Sequence, residues 1–439
     1  MIRKKKKIQS EDIEINDDFL RALKKIDEIN GPLYITGKAG TGKSTLLKYF
    51  RQTTDKMAVV VAPTGIAAIN VGGQTIHAFF GFSNNVTPIE VRSAQKQKKR
   101  QEVLDKMDIL VIDEISMVRA DLMDCVDESL RYYLNNDLPF GGKQIVMFGD
   151  LYQLPPVVAT AQERQMFNSV YKSPYFFDAK AFTDLSIEKI ELKKIYRQSD
   201  QKFISLLNNI RHNQVRDEDM NMLNGCYQPN SFDSDDGFIT LCTTNQSAND
   251  MNNFKLSQLP DELKVYKGKV DGDFAEKNFP TELNLQVKIS AQVMMLNNDS
   301  AGRWVNGSMG QIIDITKGEK SDQDILVVEI FGGEIVEVRP YRWEMNRYYF
   351  NQTAKMVDTE TIGTFTQYPL RLSWAITIHK SQGKTFDKVI VDIGRGTFSA
   401  GQVYVAISRA TSLDNLILKR PIWKSHIWTD QKIVNFMQI

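Results

Sequence analysis

The sequence predicts an α/β protein of two units, each a parallel sheet flanked by helices, with a small antiparallel β insertion in the second. Three observations carry this. Short apolar, β-rich runs alternate with helical patterns over residues 1–194; a second set of such runs follows; and between 310 and 367 the runs become short and crowded.

Each element has a local reason. Leu33–Thr36, Ala58–Val61, Ile109–Ile112 and Ile145–Phe148 are continuous apolar runs, as strands buried on both faces require, and each ends in a polar or glycine-bearing loop. Asp121–Leu134 carries a helical pattern between two of them. Phe238–Cys242 and Val389–Asp392 repeat the strand signal in the second unit. In the insertion, Gln311–Ile315, Ile325–Phe331 and Ile335–Val338 are strands, and Gly332-Gly333 fits a tight hairpin turn.

The bulk numbers bound the function. With 439 residues, 42% of them hydrophobic, the chain is long enough for about three domains with real cores. A net charge of +1 excludes a simple polycation, and the basic runs Arg3–Lys7 and Lys96–Arg100 read as solvated segments. Three cysteines without Cys-x-x-Cys spacing argue against a disulfide framework or a zinc site and fit a reducing compartment. No apolar run approaches a membrane span, so a cytoplasmic protein is expected.

The chemistry begins at Gly37-Lys38-Ala39-Gly40-Thr41-Gly42-Lys43-Ser44, which fits the phosphate-binding loop between a strand and a helix. Backbone N–H groups of Gly37, Ala39, Gly40, Thr41, Gly42 and Thr45 would line a phosphate cradle, with Lys43 as its cation and the Ser44 hydroxyl on Mg²⁺. The apolar strand Ile109–Ile112 then delivers Asp113 and Glu114 side by side. The first suits Mg²⁺, and the second suits polarising an attacking water.

The next strand ends in Gly149-Asp150-Leu151-Tyr152-Gln153-Leu154-Pro155-Pro156-Val157. Together with Ala62–Ala68, Gly73–Phe80, Tyr196-Arg197-Gln198, Ala291–Met294, Asn306-Gly307-Ser308, Ile378–Gly383 and Tyr404–Ala410, in this order, the chain resembles superfamily 1B DNA helicases. It is similar to the RecD-related Pif (petite integration frequency) branch, in the form of a minimal bacterial core.

The resemblance implies two RecA-like domains: residues 1–194, with a small insertion near 81–104, and residues 195–309 with 368–439. Residues 310–367 would be an inserted SH3-like domain. It implies ATP with Mg²⁺, Gln153 near the terminal phosphate, Arg197 and Arg409 reaching across the cleft from the second unit, and Gly383 approaching the phosphates as bare backbone. Pro63, Thr64, Gly65, His77 and Phe79 of the first unit, with Thr244, Asn245, His379, Lys380 and Ser381 of the second, would contact single-stranded DNA. For Phe79 and Phe80 a stacking role competes with burial, and at least one belongs in the core. The implied partners are single strands and 5′-tailed DNA, with G-quadruplex or RNA–DNA hybrid structures as further substrates. The implied activity is 5′ to 3′ unwinding near the bacterial nucleoid, in DNA replication, repair or telomere maintenance. An upstream adenine-reading glutamine, usual in relatives, is missing from Ile15–Arg21, where Phe19 takes roughly its place. A nucleotide-dependent clamp is disfavoured by Glu114, and a GTPase by the lack of Asn-Lys-x-Asp.

Overall fold

The computed structural model describes residues 15–83, 85–158, 160–229, 237–318, 323–394 and 396–438. The basic run Arg3–Lys7 lies outside them.

The first sheet contains β1 (Leu33–Gly37), β2 (Ala58–Ala62), β3 (Gln74–Thr75), β4 (Ile109–Ile112), β5 (Gln144–Phe148) and β6 (Glu188–Leu192). All its pairs are parallel, in the order β3-β2-β4-β5-β1-β6. The central strands are buried along their whole length, which explains their unbroken apolar sequences. Because β1 and β4 flank β5, the phosphate loop after β1 and the acids after β4 open at the same edge.

The second parallel sheet is smaller, and its first strand in the chain, β7 (Ile239–Cys242), precedes the insertion. That insertion holds β8 (Lys264–Lys267), β9 (Lys269–Gly272), β10 (Asn284–Val287), β11 (Gln292–Met295), β12 (Met309–Lys317), β13 (Asp324–Ile330), β14 (Ile335–Val338), β15 (Tyr341–Asn351), β16 (Met356–Gln367) and β17 (Leu370–Leu372). These form antiparallel sheets ordered β14-β13-β12-β11-β17, β15-β16-β9 and β10-β8. Then β18 (Ala375–Thr377), β19 (Val389–Asp392) and β20 (Leu416–Leu418) complete the second sheet, in the order β18-β7-β19-β20.

Two expected boundaries need correction. The antiparallel strands pair from Lys264 to Leu372, not only within 310–367, because β9, β11 and β17 hydrogen-bond into the insertion's sheets from outside that range. The helix Gln431–Met437, expected with the second unit, packs on the first: Phe436 stacks on Phe177 at 4.2 Å and meets Tyr34 at 6.1 Å. The segment near 81–104 forms the helices Pro88–Ser93 and Lys98–Lys106, laid on the helix Ala120–Leu134. Arg100, read as part of a solvated run, donates instead to the Phe79 carbonyl at 2.8 Å and the Tyr133 hydroxyl at 3.3 Å.

The insertion also touches the first unit. Tyr348 of β15 is buried; its hydroxyl accepts from the Val60 N–H (3.1 Å) and donates to the Val60 carbonyl (3.3 Å), while its own N–H donates to Gln74 Oε1 (3.1 Å). Val60 lies where the two-residue strand β3 leaves the edge of β2 uncovered, so a tyrosine closes an edge that no strand reaches.

Candidate nucleotide cleft and strand-binding surface

The phosphate loop turns through left-handed glycines, Gly40 at φ +81° and Gly42 at φ +82°. Only glycine fits them: a Cβ on Gly40 would lie 2.5 Å from Arg197 Cβ, and one on Gly42 would lie 3.0 Å from the Phe19 ring. The helix Lys43–Thr53 starts at the loop with no side-chain cap, which leaves its N-terminal N–H groups for an anion. Lys43 Nζ donates to the loop carbonyls of Gly37 (2.6 Å) and Lys38 (3.1 Å), and burial lowers its pKa. Thr41 is buried, with its hydroxyl committed to the Lys38 carbonyl, so it offers only backbone. Ser44 and Thr45 are exposed.

Burial and then the neighbouring Glu114 push Asp113 up to about 7. Burial likewise raises Glu114, whose backbone sits at φ +49°, a left-handed conformation that side chains rarely adopt. Two adjacent desolvated carboxyls, each acted on by Lys43, are charge that a divalent cation would relieve, and Asp113 fits such an ion.

Gln153 is buried, its Nε2 donating to Asp150 Oδ2 (3.4 Å), and its Oε1 accepts from Gln382 Nε2 of the second unit at 3.1 Å. The same Gln382 nitrogen lies 3.5 Å from Glu114 Oε2. The bonds of Gln382 span the cleft. Arg409 is fully buried within the second unit and donates to the carbonyls of Val405 (2.9 Å), Lys384 (3.1 Å) and Ser381 (3.3 Å). Burial, and then Arg197, push it down to about 9, against the attraction of Glu114. Gly383 has φ +77° and open space around it, as close backbone approach to a ligand requires.

Arg197 differs from its expected origin. It follows β6 of the first sheet, and the Tyr196 N–H before it donates to the Gly40 carbonyl at 2.9 Å, so Arg197 stands on the phosphate-loop side. From there its guanidinium reaches the Ser408 carbonyl of the second unit at 3.0 Å.

Sequence reasoning missed a buried group behind these residues. Arg211, at the end of the helix Gln201–Arg211, pairs with Asp150 at 3.0 Å, both side chains being almost wholly buried, and its guanidinium lies over the Tyr152 ring. Burial works against the Asp150 charge, but Arg211 and Lys43 hold its carboxyl below the usual range. The Tyr404 hydroxyl donates to Asp150 Oδ2 (3.4 Å) and accepts from the Ala39 N–H of the phosphate loop (3.0 Å). Asp150 and Tyr404 stand inside quoted motifs, which was the available signal; Arg211 stands in none.

On the nucleotide's flank, Asn16 caps the helix Asp17–Glu28 by accepting from the Phe19 N–H (2.9 Å), and its Nδ2 donates to the Tyr196 hydroxyl (2.8 Å). Phe19 is core, whereas Tyr196 is 44% exposed beside Gly42.

The strand-binding candidates divide. Thr64 caps the helix Gly65–Asn70 after β2, and Thr244 caps the helix Asn245–Gln258 after β7, so corresponding loops of the two sheets each present an exposed threonine. Asn245 and Lys380 are exposed, and Pro63, His77 and His379 half-buried. His379 stacks on the exposed Phe398 at 6.2 Å. Gly65 is buried against Asn278 of the insertion. Two further candidates are buried like Gly65. Phe79 is 5% exposed, packed edge-on against Phe80 and Tyr348, and Phe80 is buried with it; Ser381 is fully buried, its hydroxyl donating to the Ile378 carbonyl.

Comparison with known proteins gives the family. Residues 13–221 match the PIF1-like helicase family, and residues 372–417 the UvrD-like helicase C-terminal domain. The chain is 34% identical to the human ATP-dependent DNA helicase PIF1 over 88% of its own length, but spans only 57% of that relative. With the Pif1 helicase of Bdellovibrio bacteriovorus it shares 31% identity, covering 92% of this chain and 87% of the other. Among solved structures, Bacteroides sp Pif1 in complex with ADP-AlF4 superposes with a TM-score of 0.89 at 36% identity, over 97% of both chains. Bacteroides Pif1 bound to ssDNA gives 0.70 at 37% identity over 97% of both. With two RecA-like units, a cleft joined by Gln382 and Tyr404, and a bacterial Pif1 helicase matched over 87% of its length, the chain belongs to the PIF1-like helicase family.

Proposed function

We propose that this chain is an ATP-driven DNA helicase that moves 5′ to 3′ along a single strand and opens the duplex ahead of it. One observation supports this most: Lys43, Glu114 and Gln153 of one unit and Gln382 and Arg409 of the other meet in a single cleft, so a nucleotide bound there would be sensed by both units. Lys43 and the loop N–H groups bind the phosphates, while Ser44 and Asp113 would hold Mg²⁺, which would supply charge stabilisation of the phosphoryl group. Glu114 takes the proton of the attacking water, while Arg197 and Arg409 stabilise charge in the transition state, a contribution worth on the order of 10³ or more in rate. Turnover changes the spacing of Thr64 and Thr244, which in this reading grip the strand. G-quadruplex and RNA–DNA structures are further substrates of this reading, and residues 264–372 include its SH3-like element.

The test is ATP turnover with and without single-stranded DNA, then unwinding of tailed duplexes. Glu114→Gln should keep nucleotide binding and lose at least about 100-fold in turnover. Duplexes with a 5′ tail should open and those with only a 3′ tail should not; the reverse result would overturn the polarity.

A further inference from the structure

Arg371 stands in the middle of β17, opposite Met294, and is half-buried. Among the described residues none accepts a hydrogen bond from its guanidinium. It is not alone. Lys380 and Lys384, on the loop that follows β18, both feel its charge, and burial first and Arg371 second lower the pKa of each. The acid that acts on Arg371 and Lys380 is the exposed Glu282. Lys384 is placed by contact: its Nζ donates to Asn306 Oδ1, and its Cβ lies 3.8 Å from the position a Cβ on Gly307 would take. Asn306 in turn lies 3.5 Å from Asn70, at the end of the helix that Thr64 caps.

Such an arrangement is costly in isolation. Partly desolvated cations that repel one another lose hydration with only the exposed Glu282 to offset it, and the guanidinium has no acceptor among the described residues. An anion with several acceptor oxygens removes all three costs together. We propose that Arg371, Lys380 and Lys384 form a subsite for one backbone phosphate of the bound strand, with Arg371 and Lys384 as contacts that no recognised motif contains. The phosphodiester is favoured over free phosphate because the subsite continues from His379 and, through Asn306, faces the first unit's Thr64 helix, along the line the strand would follow. This assignment rests on the helicase reading above.

The test is binding of a fluorescent oligothymidine to the full chain, measured by anisotropy across a sodium chloride series. Arg371→Gln and Lys384→Met should each weaken binding about five- to twentyfold. Each should also lower the slope of log affinity against log salt by about 0.7, the share of one phosphate on a single strand. Because both would lose the same phosphate, the double variant should lower the slope barely further. Lys384→Met should melt no lower than the wild type, which separates a lost ligand contact from a damaged fold and carries the test if Arg371→Gln does not fold. Wild-type affinity and slope in the variants would overturn the subsite alone. Displacement of the strand from wild type by low-millimolar inorganic phosphate, absent in the variants, would replace it with a free-anion site. A wild-type chain that binds no strand would overturn the helicase reading and the subsite with it.

Discussion

Burial and the neighbouring Arg371 push the Lys384 ammonium down to about 8 from its ordinary 10.5. The unfolded chain therefore holds this proton more tightly than the folded one. The penalty on stability is fully present below pH 8 and fades as pH rises from about 8 to 10.5. That gap caps the cost at roughly 3 kcal/mol, and partial exposure should leave about 1 kcal/mol. Lys384→Met should thus raise the melting temperature at pH 7 by about 1–3 °C, and the gain should shrink by pH 9.5. Calorimetry at the two pH values checks it; a lower melting temperature at pH 7 would contradict the sign. A residue kept at a cost to the fold is one that ligand binding repays. At this scale the sequence was a good guide where backbone chemistry dictates the residue, as at Gly42, Lys43 and Glu114. It was a poor guide where packing decides. Nothing local distinguishes a Phe79 that faces a strand from one that fills the space beside Tyr348.

Among elements, the phosphate loop is coupled to the helix Gln402–Ile407 of the other unit by the single hydroxyl of Tyr404. Removing it leaves the buried Ala39 N–H without an acceptor and Asp150 short of one donor, a loss of roughly 1–3 kcal/mol. The loss falls on cleft closure rather than on the phosphate contacts. Tyr404→Phe should therefore lower strand-stimulated kcat about tenfold or more while nucleotide affinity stays within about threefold. Steady-state kinetics beside nucleotide titration decide it, and an unchanged kcat would show that the hydroxyl does not couple the units. Strand, loop and helix around Lys43 were legible because their signals lie within a few consecutive residues. The Asp150 pairs with Arg211 and Tyr404 were not, being 61 and 254 residues apart in sequence. The limits of the insertion were missed for the same reason: short runs announce strands, but β9 and β17 join its sheets through partners that only the register reveals.

Over the whole molecule, the chain crosses between its units more than once. The antiparallel insertion rises from the second unit and is fastened to the first through Tyr348, while the C-terminal helix returns to Phe177. Tyr348→Phe keeps the ring against Phe79 but removes both hydroxyl contacts with Val60. The Val60 amide should then exchange with solvent about tenfold faster or more, corresponding to at least one lost buried hydrogen bond. Hydrogen exchange read at residues 58–62 tests this. Protection equal to wild type would mean that the aromatic contacts alone hold the insertion in place.

Asn16 has both ends of its amide occupied, one by the helix it caps and one by Tyr196, while Phe19 is sunk in the core. What remains beside Gly42 for the base of a nucleotide is the partly exposed ring of Tyr196, with the Lys194 ammonium over it at 5.0 Å. A ring stacks on any base, whereas a site built around hydrogen bonds to one base rejects analogues by about 10⁴-fold or more. For the proposed motor the consequence is a broad appetite for fuel. GTP and CTP should support strand-stimulated turnover with kcat/KM within about a hundredfold of ATP, and Tyr196→Ala should weaken all three alike. Strict rejection of GTP would mean that backbone groups read the base. An enzyme of this kind would follow whichever triphosphate the cell holds in excess, its pace set by supply more than by recognition.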